Sequence, residues 1–206
     1  MITHNFENSK DVGEWGEKII AAWVKQQVLV TDIQDLTKDT EYQKKDIDFL
    51  ISCKRFPGVP PQFKLEVKTD SYNSGNIFYE TVSNTETGTP GCMVMTEADY
   101  VAYYLTAYKK VYFLNIKLFR SWVEQIQKDS RLMGGIHDVQ VRNVKRSAAH
   151  KPKEELAEED YFYSQGLTIP IFYIDSFFNA FRVFSIDAEE IIAEINSDSE
   201  EFAPEL

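Results

Sequence analysis

Glu66-Val67-Lys68 sets a carboxylate and an ammonium two residues apart, inside a stretch, Phe63 to Thr69, where apolar and charged residues alternate. Residues two apart on a strand share a face, so Glu66 and Lys68 are expected side by side. Asp48 stands on the polar side of the preceding stretch, Lys44 to Ser52, in which Ile47, Phe49 and Ile51 alternate with Asp46 and Asp48. If the two stretches pair as an antiparallel hairpin, Asp48 and Glu66 face one divalent cation. Mg²⁺ takes such a site: one or two carboxylates, a backbone carbonyl such as that of Val67, and water. Glu17 is set among Gly13, Ile20, Ala21 and Val24 at the edge of an apolar stripe. There its charge is penalised by desolvation unless a cation or donor is near. Taken singly, each feature has a plainer account. Lys-Glu-Lys is an ordinary solvated strand face, Asp48 a polar partner in an alternating strand, and Glu17 an edge residue reaching water.

The elements that must position these groups follow from periodicity. Val12, Trp15, Ile19 and Trp23 recur at helical spacing, with Glu14, Lys18 and Lys25 opposite, and predict a helix over Lys10 to Gln27. Val28 to Ile33 reads as a strand, Lys44 to Ser52 as a second and Phe63 to Thr69 as a third, with RFPGVPPQ forcing a turn between the last two. Asn76 to Val82 is one more short strand. Thr96 and Asp99 resemble a capping box and predict a helix over Glu97 to Ala107. A strand over Lys110 to Asn115 and a helix over Leu118 to Gln127 follow. The order gives an α/β domain with a mixed sheet. Arg142 to Lys153 reads as an exposed basic loop, Leu167 to Ile174 and Phe181 to Ile186 as further strands, and Ala188 to Ile195 as a last helix.

Glu17 on a helix, Asp48 on a strand and Glu66-Val67-Lys68 on the next resemble the PD-(D/E)xK nuclease superfamily. The likeness is to its Holliday-junction-resolvase-like and small bacterial or phage endonuclease-like members. The phrases that carry it are GEWGEKIIAAWV, KKDIDFLI and FKLEVKTD, and it covers about residues 10–115. Ile47 stands where the family name has Pro. The resemblance implies a restriction-endonuclease-like core of helix, three-strand meander, helix and strand, with a mixed central sheet flanked by helices; the additional carboxy-terminal strands and helix read above lie outside it. It implies a Mg²⁺- or Mn²⁺-dependent deoxyribonuclease with Asp48, Glu66, the Val67 carbonyl and Glu17 as metal ligands. In that likeness the metal lowers the pKa of a bound water and neutralises phosphate charge. Lys68 orients or deprotonates the water. DNA is the expected substrate, in repair, recombination, phage or defence processes, and a homodimer would cut both strands of a duplex.

Composition bounds these readings. The chain has 206 residues, 43% apolar and 14% aromatic, enough for one core. Collagen-like, coiled-coil and disulfide-scaffold classes are excluded. Cys53 and Cys92 show neither a redox motif nor zinc spacing, which points to a reducing, cytoplasmic compartment. The polar start MITHNFENSKD lacks the apolar stretch of a signal peptide. No apolar run approaches the roughly 20 residues of a membrane span. The net charge of −11 is carried mostly by Asp187, Glu189, Glu190, Glu194, Asp198, Glu200, Glu201 and Glu205. A domain over residues 1–186 is thus close to neutral, with an acidic helix and tail over 187–206. The tail reads as a solubilising end or as an autoinhibitory or partner-binding segment. The acidity stands against binding a polyanion, and two alternatives to a nuclease remain: a catalytically silent binding or regulatory subunit with the nuclease fold, against which the full set Glu17, Asp48, Glu66 and Lys68 argues, and an acidic mimic of DNA, which the tail alone does not support.

Flanking residues complete the expectations. Lys64 shares a face with Glu66 and either touches phosphate or pairs with a neighbour. Asp70 and Asn76 bound a turn, Glu80 lies on the surface or approaches the site from the neighbouring strand, and Tyr72 and Tyr79 stack on bases or join the core. Arg142, Lys145, Arg146, Lys151 and Lys153 are a solvated loop or a phosphate contact. His4, His137 and His150 have no triad or ligand spacing.

Overall fold

The computed structural model describes residues 9–128, 139–147, 157–175 and 181–200. Helix α1 (Ser9–Lys25) leads into β1 (Val30–Asp35), the short α2 (Thr40–Gln43), β2 (Phe49–Cys53) and β3 (Gln62–Asp70). Then come β4 (Asn76–Asn84), β5 (Thr89–Pro90), the short α3 (Cys92–Met95), β6 (Tyr100–Leu105), β7 (Lys110–Asn115) and α4 (Ile116–Lys128). The chain continues through β8 (Gln140–Ser147), β9 (Tyr161–Pro170), α5 (Ile171–Asp175), β10 (Phe181–Ser185) and α6 (Ala188–Glu200).

Two sheets result. The central one has six strands in the order β1-β2-β3-β6-β7-β10, with β3 and β6 parallel and all other neighbours antiparallel. The second has four antiparallel strands in the order β5-β4-β9-β8. The protein is a mixed α/β fold with a mixed central sheet flanked by helices, as its periodicities predict.

Both faces of the central sheet are buried, and this arranges the core. On one face Ile19, Ile20 and Val24 of α1 and Ile191 of α6 pack on Phe49, Ile51, Leu65, Val67, Ala102, Tyr104 and Val111. On the other, Val101, Tyr103, Leu105, Tyr112 and Leu114 meet Ile77 and Tyr79 of β4, Leu167 and Ile169 of β9, and Phe119 and Val123 of α4. Leu65 and Val67 belong to the first face, so period two sends Glu66 and Lys68 to the second.

Several expectations are corrected. Tyr100 to Leu105, predicted as part of a helix over Glu97 to Ala107, is the strand β6. It lies at the middle of a sheet buried on both sides, so its residues are apolar on both faces and show no alternation. Thr96 and Asp99 open no helix; Thr96 instead ends α3 as its carboxy-terminal cap. The Thr96 hydroxyl donates to the Asp46 carbonyl at 2.6 Å, and the Asp99 carboxylate accepts the Lys64 N–H at 2.8 Å. Strand β2 begins at Phe49 rather than Lys44, because the chain turns through Asp46, whose φ is 48°. Residues 142–147, read as part of a basic loop, belong to β8, and the strand read as running to Ile174 ends at Pro170, just before α5.

The first part of the acidic segment is the helix α6, whose Ile191 is buried against the α1 side of the sheet. Tyr79 is core, its ring edge-on to Phe119. Among the described residues no helix is long and apolar enough to cross a membrane. His4, His137, His150, Lys151, Lys153, Glu201 and Glu205 lie outside the described residues.

Candidate functional site

The site forms where two paired strands part. The register of β2 on β3 ends at Phe49 opposite Leu65, and the Asp48 N–H still donates to the Leu65 carbonyl at 2.9 Å. Beyond that point β3 runs on with β6 alone on its other side, Glu66 opposite Val101 and Lys68 opposite Tyr103. The Val67 N–H has lost its ladder partner, and an unpaired buried donor is costly. Asp48 supplies the acceptor: its Oδ2 lies 2.7 Å from the Val67 nitrogen.

Glu66 is 3% exposed, and its Oε1 is 2.8 Å from the Lys68 Nζ. The Lys68 side chain is 38% exposed and reaches solvent. Burial is the largest single influence and opposes its charge, but the charge and hydrogen bond of Glu66, with Cys92 and Asp46, together outweigh it and hold the ammonium well above its ordinary range. Glu66 Oε2 has no hydrogen-bond partner among the described residues, although it is buried. A buried carboxylate oxygen with nothing to accept is a costly arrangement and a mark of a missing partner.

The neighbouring carboxyls share that strain. Burial, with the Glu66 charge next, pushes Asp48 from 3.8 up to about 8, against the opposing pull of the Val67 hydrogen bond. Burial and then Glu66 also raise Glu17, which makes no hydrogen bond or ion pair among the described residues. Glu17 reaches this position because α1 lies directly on β3. A Cβ built on Gly16 would stand 1.7 Å from Thr69 Oγ1, so only glycine lets the helix approach so closely. The structure therefore bonds Asp48 to Val67 and Lys68 to Glu66, and couples the Asp48, Glu66 and Glu17 carboxyls through their charges.

No family model, curated protein or solved structure matches this chain. The reading of the site rests on its geometry.

Several contributors were missed or misread. Asp46 is half-buried at the turn before β2, and burial followed by the Glu66 and Glu80 charges raises its carboxyl. Its spacing two residues before Asp48 was the available signal. Cys92 opens α3 and sets its Sγ 3.7 Å from Glu66 Oε1. Burial pushes its thiol far up, so it stays protonated against the carboxylate. Arg120 of α4 fixes this short helix by donating to the Met93 and Thr96 carbonyls, each at 2.8 Å. Glu80 is turned inward: its Oε2 lies 3.5 Å from the Cys92 nitrogen, and its Oε1 lies 3.8 Å from Arg146. A Cβ on Gly91 would lie 2.5 Å from the Glu80 carbonyl oxygen, so this approach too depends on glycine. No local pattern announces Cys92 or Glu80, since the β3–β6 crossover brings them in.

Oxygen donors on carboxylates suit a hard divalent cation, and the unpartnered Glu66 oxygen beside Asp48 gives one a place. Among the described residues no group of three or more His, Cys, Asp or Glu has the spacing of a ready-made metal cage. The donor set is thus a pair of carboxylates with a third nearby, which fits a cation that keeps much of its water.

Proposed function

We propose that this protein is a metal-dependent nuclease that hydrolyses DNA phosphodiester bonds, built on a restriction-endonuclease-like core. The observation that carries the reading is the buried, unpartnered Glu66 Oε2, on a carboxylate whose Oε1 pairs with the Lys68 ammonium and whose charge bears on the Asp48 carboxyl. The course of the chain supports it. Helix α1 precedes the meander β1-β2-β3, and β6 returns parallel to β3. The helix that the resemblance implies between β3 and β6 is replaced by β4, β5 and the four-residue α3.

Asp48 and Glu66, joined by Glu17 and the Val67 carbonyl, would hold Mg²⁺ or Mn²⁺, which when bound supplies a water of lowered pKa and offsets charge on the phosphate. The protein's own groups do the rest. Asp48 is fixed by the Val67 N–H, so its free oxygen points in one direction. Lys68, held protonated by Glu66, acts as a donor and a cation toward the reacting phosphate rather than as a base. Its exposed end lets a substrate reach it, while Glu66 stays buried. A homodimer would supply the second site that cutting both strands of a duplex needs.

The test is direct. Supercoiled plasmid, single-stranded DNA and a branched junction are incubated with the protein and Mg²⁺ or Mn²⁺, beside Lys68→Ala and an EDTA control. Cleavage that disappears in both controls supports the nuclease. If nothing is cut and calorimetry detects no metal bound to the wild type, the reading fails, and a silent nuclease-fold binding subunit takes its place.

A further inference from the structure

We infer that Arg146 of β8 is a second phosphate-binding residue, through which the second sheet grips the DNA backbone beside the phosphate attacked at Glu66 and Lys68. The inference rests on the nuclease reading for the identity of the ligand, and on separate observations for the residue.

A continuous run of contacts joins Arg146 to the site. Its terminal Nη2 is 3.8 Å from Glu80 Oε1, Glu80 Oε2 is 3.5 Å from the Cys92 nitrogen, and the Cys92 Sγ is 3.7 Å from Glu66 Oε1. Its positive charge is felt by Asp70 at the end of β3, where it pulls down a carboxyl raised chiefly by burial. Arg146 is therefore a cation of the same acidic basin as Lys68.

The guanidinium is held in place but not used up. Nε donates to the buried Ser164 hydroxyl at 3.1 Å, and the group lies over the Phe78 ring, 5.8 Å from its centroid. Glu80 is too far for a hydrogen bond. Neither terminal nitrogen has a hydrogen-bond partner among the described residues, and the side chain is 37% exposed. An arginine whose Nε is anchored presents the remaining edge of its fork, the geometry that suits phosphate oxygens.

The next residue is a built-in contrast. Lys145 points to the other face of β8. It is bound to Glu158 at 2.9 Å and lies over the Tyr161 ring, 4.0 Å from its centroid. Sequence alone makes Lys145 and Arg146 equal members of one basic run. Only Arg146 is joined to the site.

The test uses the full chain in EDTA, with a fluorescent DNA duplex titrated at several salt concentrations, and Mg²⁺-dependent cleavage measured in parallel. Arg146→Ala is expected to weaken binding about tenfold and to reduce the slope of log affinity against log salt by about 1. Arg146→Lys recovers part of the affinity. Lys145→Ala leaves affinity unchanged. Glu80→Gln, which frees the guanidinium, tightens binding more than Glu86→Gln in the exposed β4–β5 turn. In cleavage, Arg146→Ala raises KM more than it lowers kcat. Equal binding by wild type and a folded Arg146→Ala overturns the inference while leaving the nuclease standing. Equal losses in Arg146→Ala and Lys145→Ala also overturn it, since they show a diffuse charge effect. Arg146-dependent binding without any cleavage supports this residue's role and sinks the nuclease. Absence of DNA binding by the wild type defeats both.

Discussion

The Asp48 carboxylate accepts the Val67 N–H at 2.7 Å where β2 leaves β3. One side chain thus completes a broken ladder and places a carboxyl beside Glu66. The two duties separate on substitution. Asp48→Asn keeps an oxygen for the Val67 N–H and removes the charge. Cleavage should fall at least about 100-fold, with a melting temperature in EDTA no lower than wild type. Asp48→Ala strands the Val67 donor as well and should cost about 1–2 kcal/mol in urea titrations. Matching stabilities for the two variants would show that the hydrogen bond contributes nothing.

Acidity at Asp48 also makes the metal-free protein pH-sensitive. The unfolded chain releases this proton near its ordinary 3.8, whereas the folded protein holds it to about 8. Between those values the folded state binds more protons, so stability falls as pH rises from about 4 to 8. Glu17, also raised, acts in the same direction. Urea titrations in EDTA at pH 5 and pH 8 measure the loss, and Asp48→Asn should flatten it. Mg²⁺, which requires ionised ligands, should raise the melting temperature more at pH 8 than at pH 5. Greater metal-free stability at pH 8 would contradict this account.

Lys68 neutralises a buried carboxylate, yet its own end is open to water. Lys68→Ala should slow cleavage by at least about 100-fold. Without metal it should lower stability by about 1–2 kcal/mol, less than a fully buried pair would lose because solvent screens the exposed end. Metal affinity by calorimetry should be retained or increased, since the cation then meets Glu66 without a competitor. A variant that loses metal binding and keeps its rate would reverse the assignment.

Gly16 sets how close α1 comes to β3, and through it the position of Glu17. Gly16→Ala drives a methyl into Thr69 Oγ1 and should destabilise by about 2 kcal/mol or more. Adding Thr69→Ala should recover part of that loss, because the nearest clashing atom is then gone, while the Thr69 Cβ would still lie 2.8 Å away. Melting temperatures of the two single variants and the double variant give the coupling. Simple additivity would mean that the helix moves freely away from the sheet.

Periodicity marks those elements whose two sides differ. Helix α1 and strand β3 meet solvent or a polar site on one side and core on the other, so period 3.6 and period two survive in their residues. Hence Glu66, Lys68, Asp48 and Glu17 were nameable from spacing and chemical type alone. Strand β6, apolar toward both α1 and the second sheet, carries no such contrast, and two polar residues at its entrance imitated a helix cap. The role of Asp48 toward Val67 is set by where β2 stops pairing, which depends on the left-handed turn at Asp46. Glu80, Cys92 and Arg146 come from β4, α3 and β8; Cys92 meets Glu66, and Glu80 and Arg146 are linked to it in series, only because the crossover from β3 to β6 passes through a second sheet. Contacts between residues far apart in the chain depend on how whole elements pack, and no local period records them.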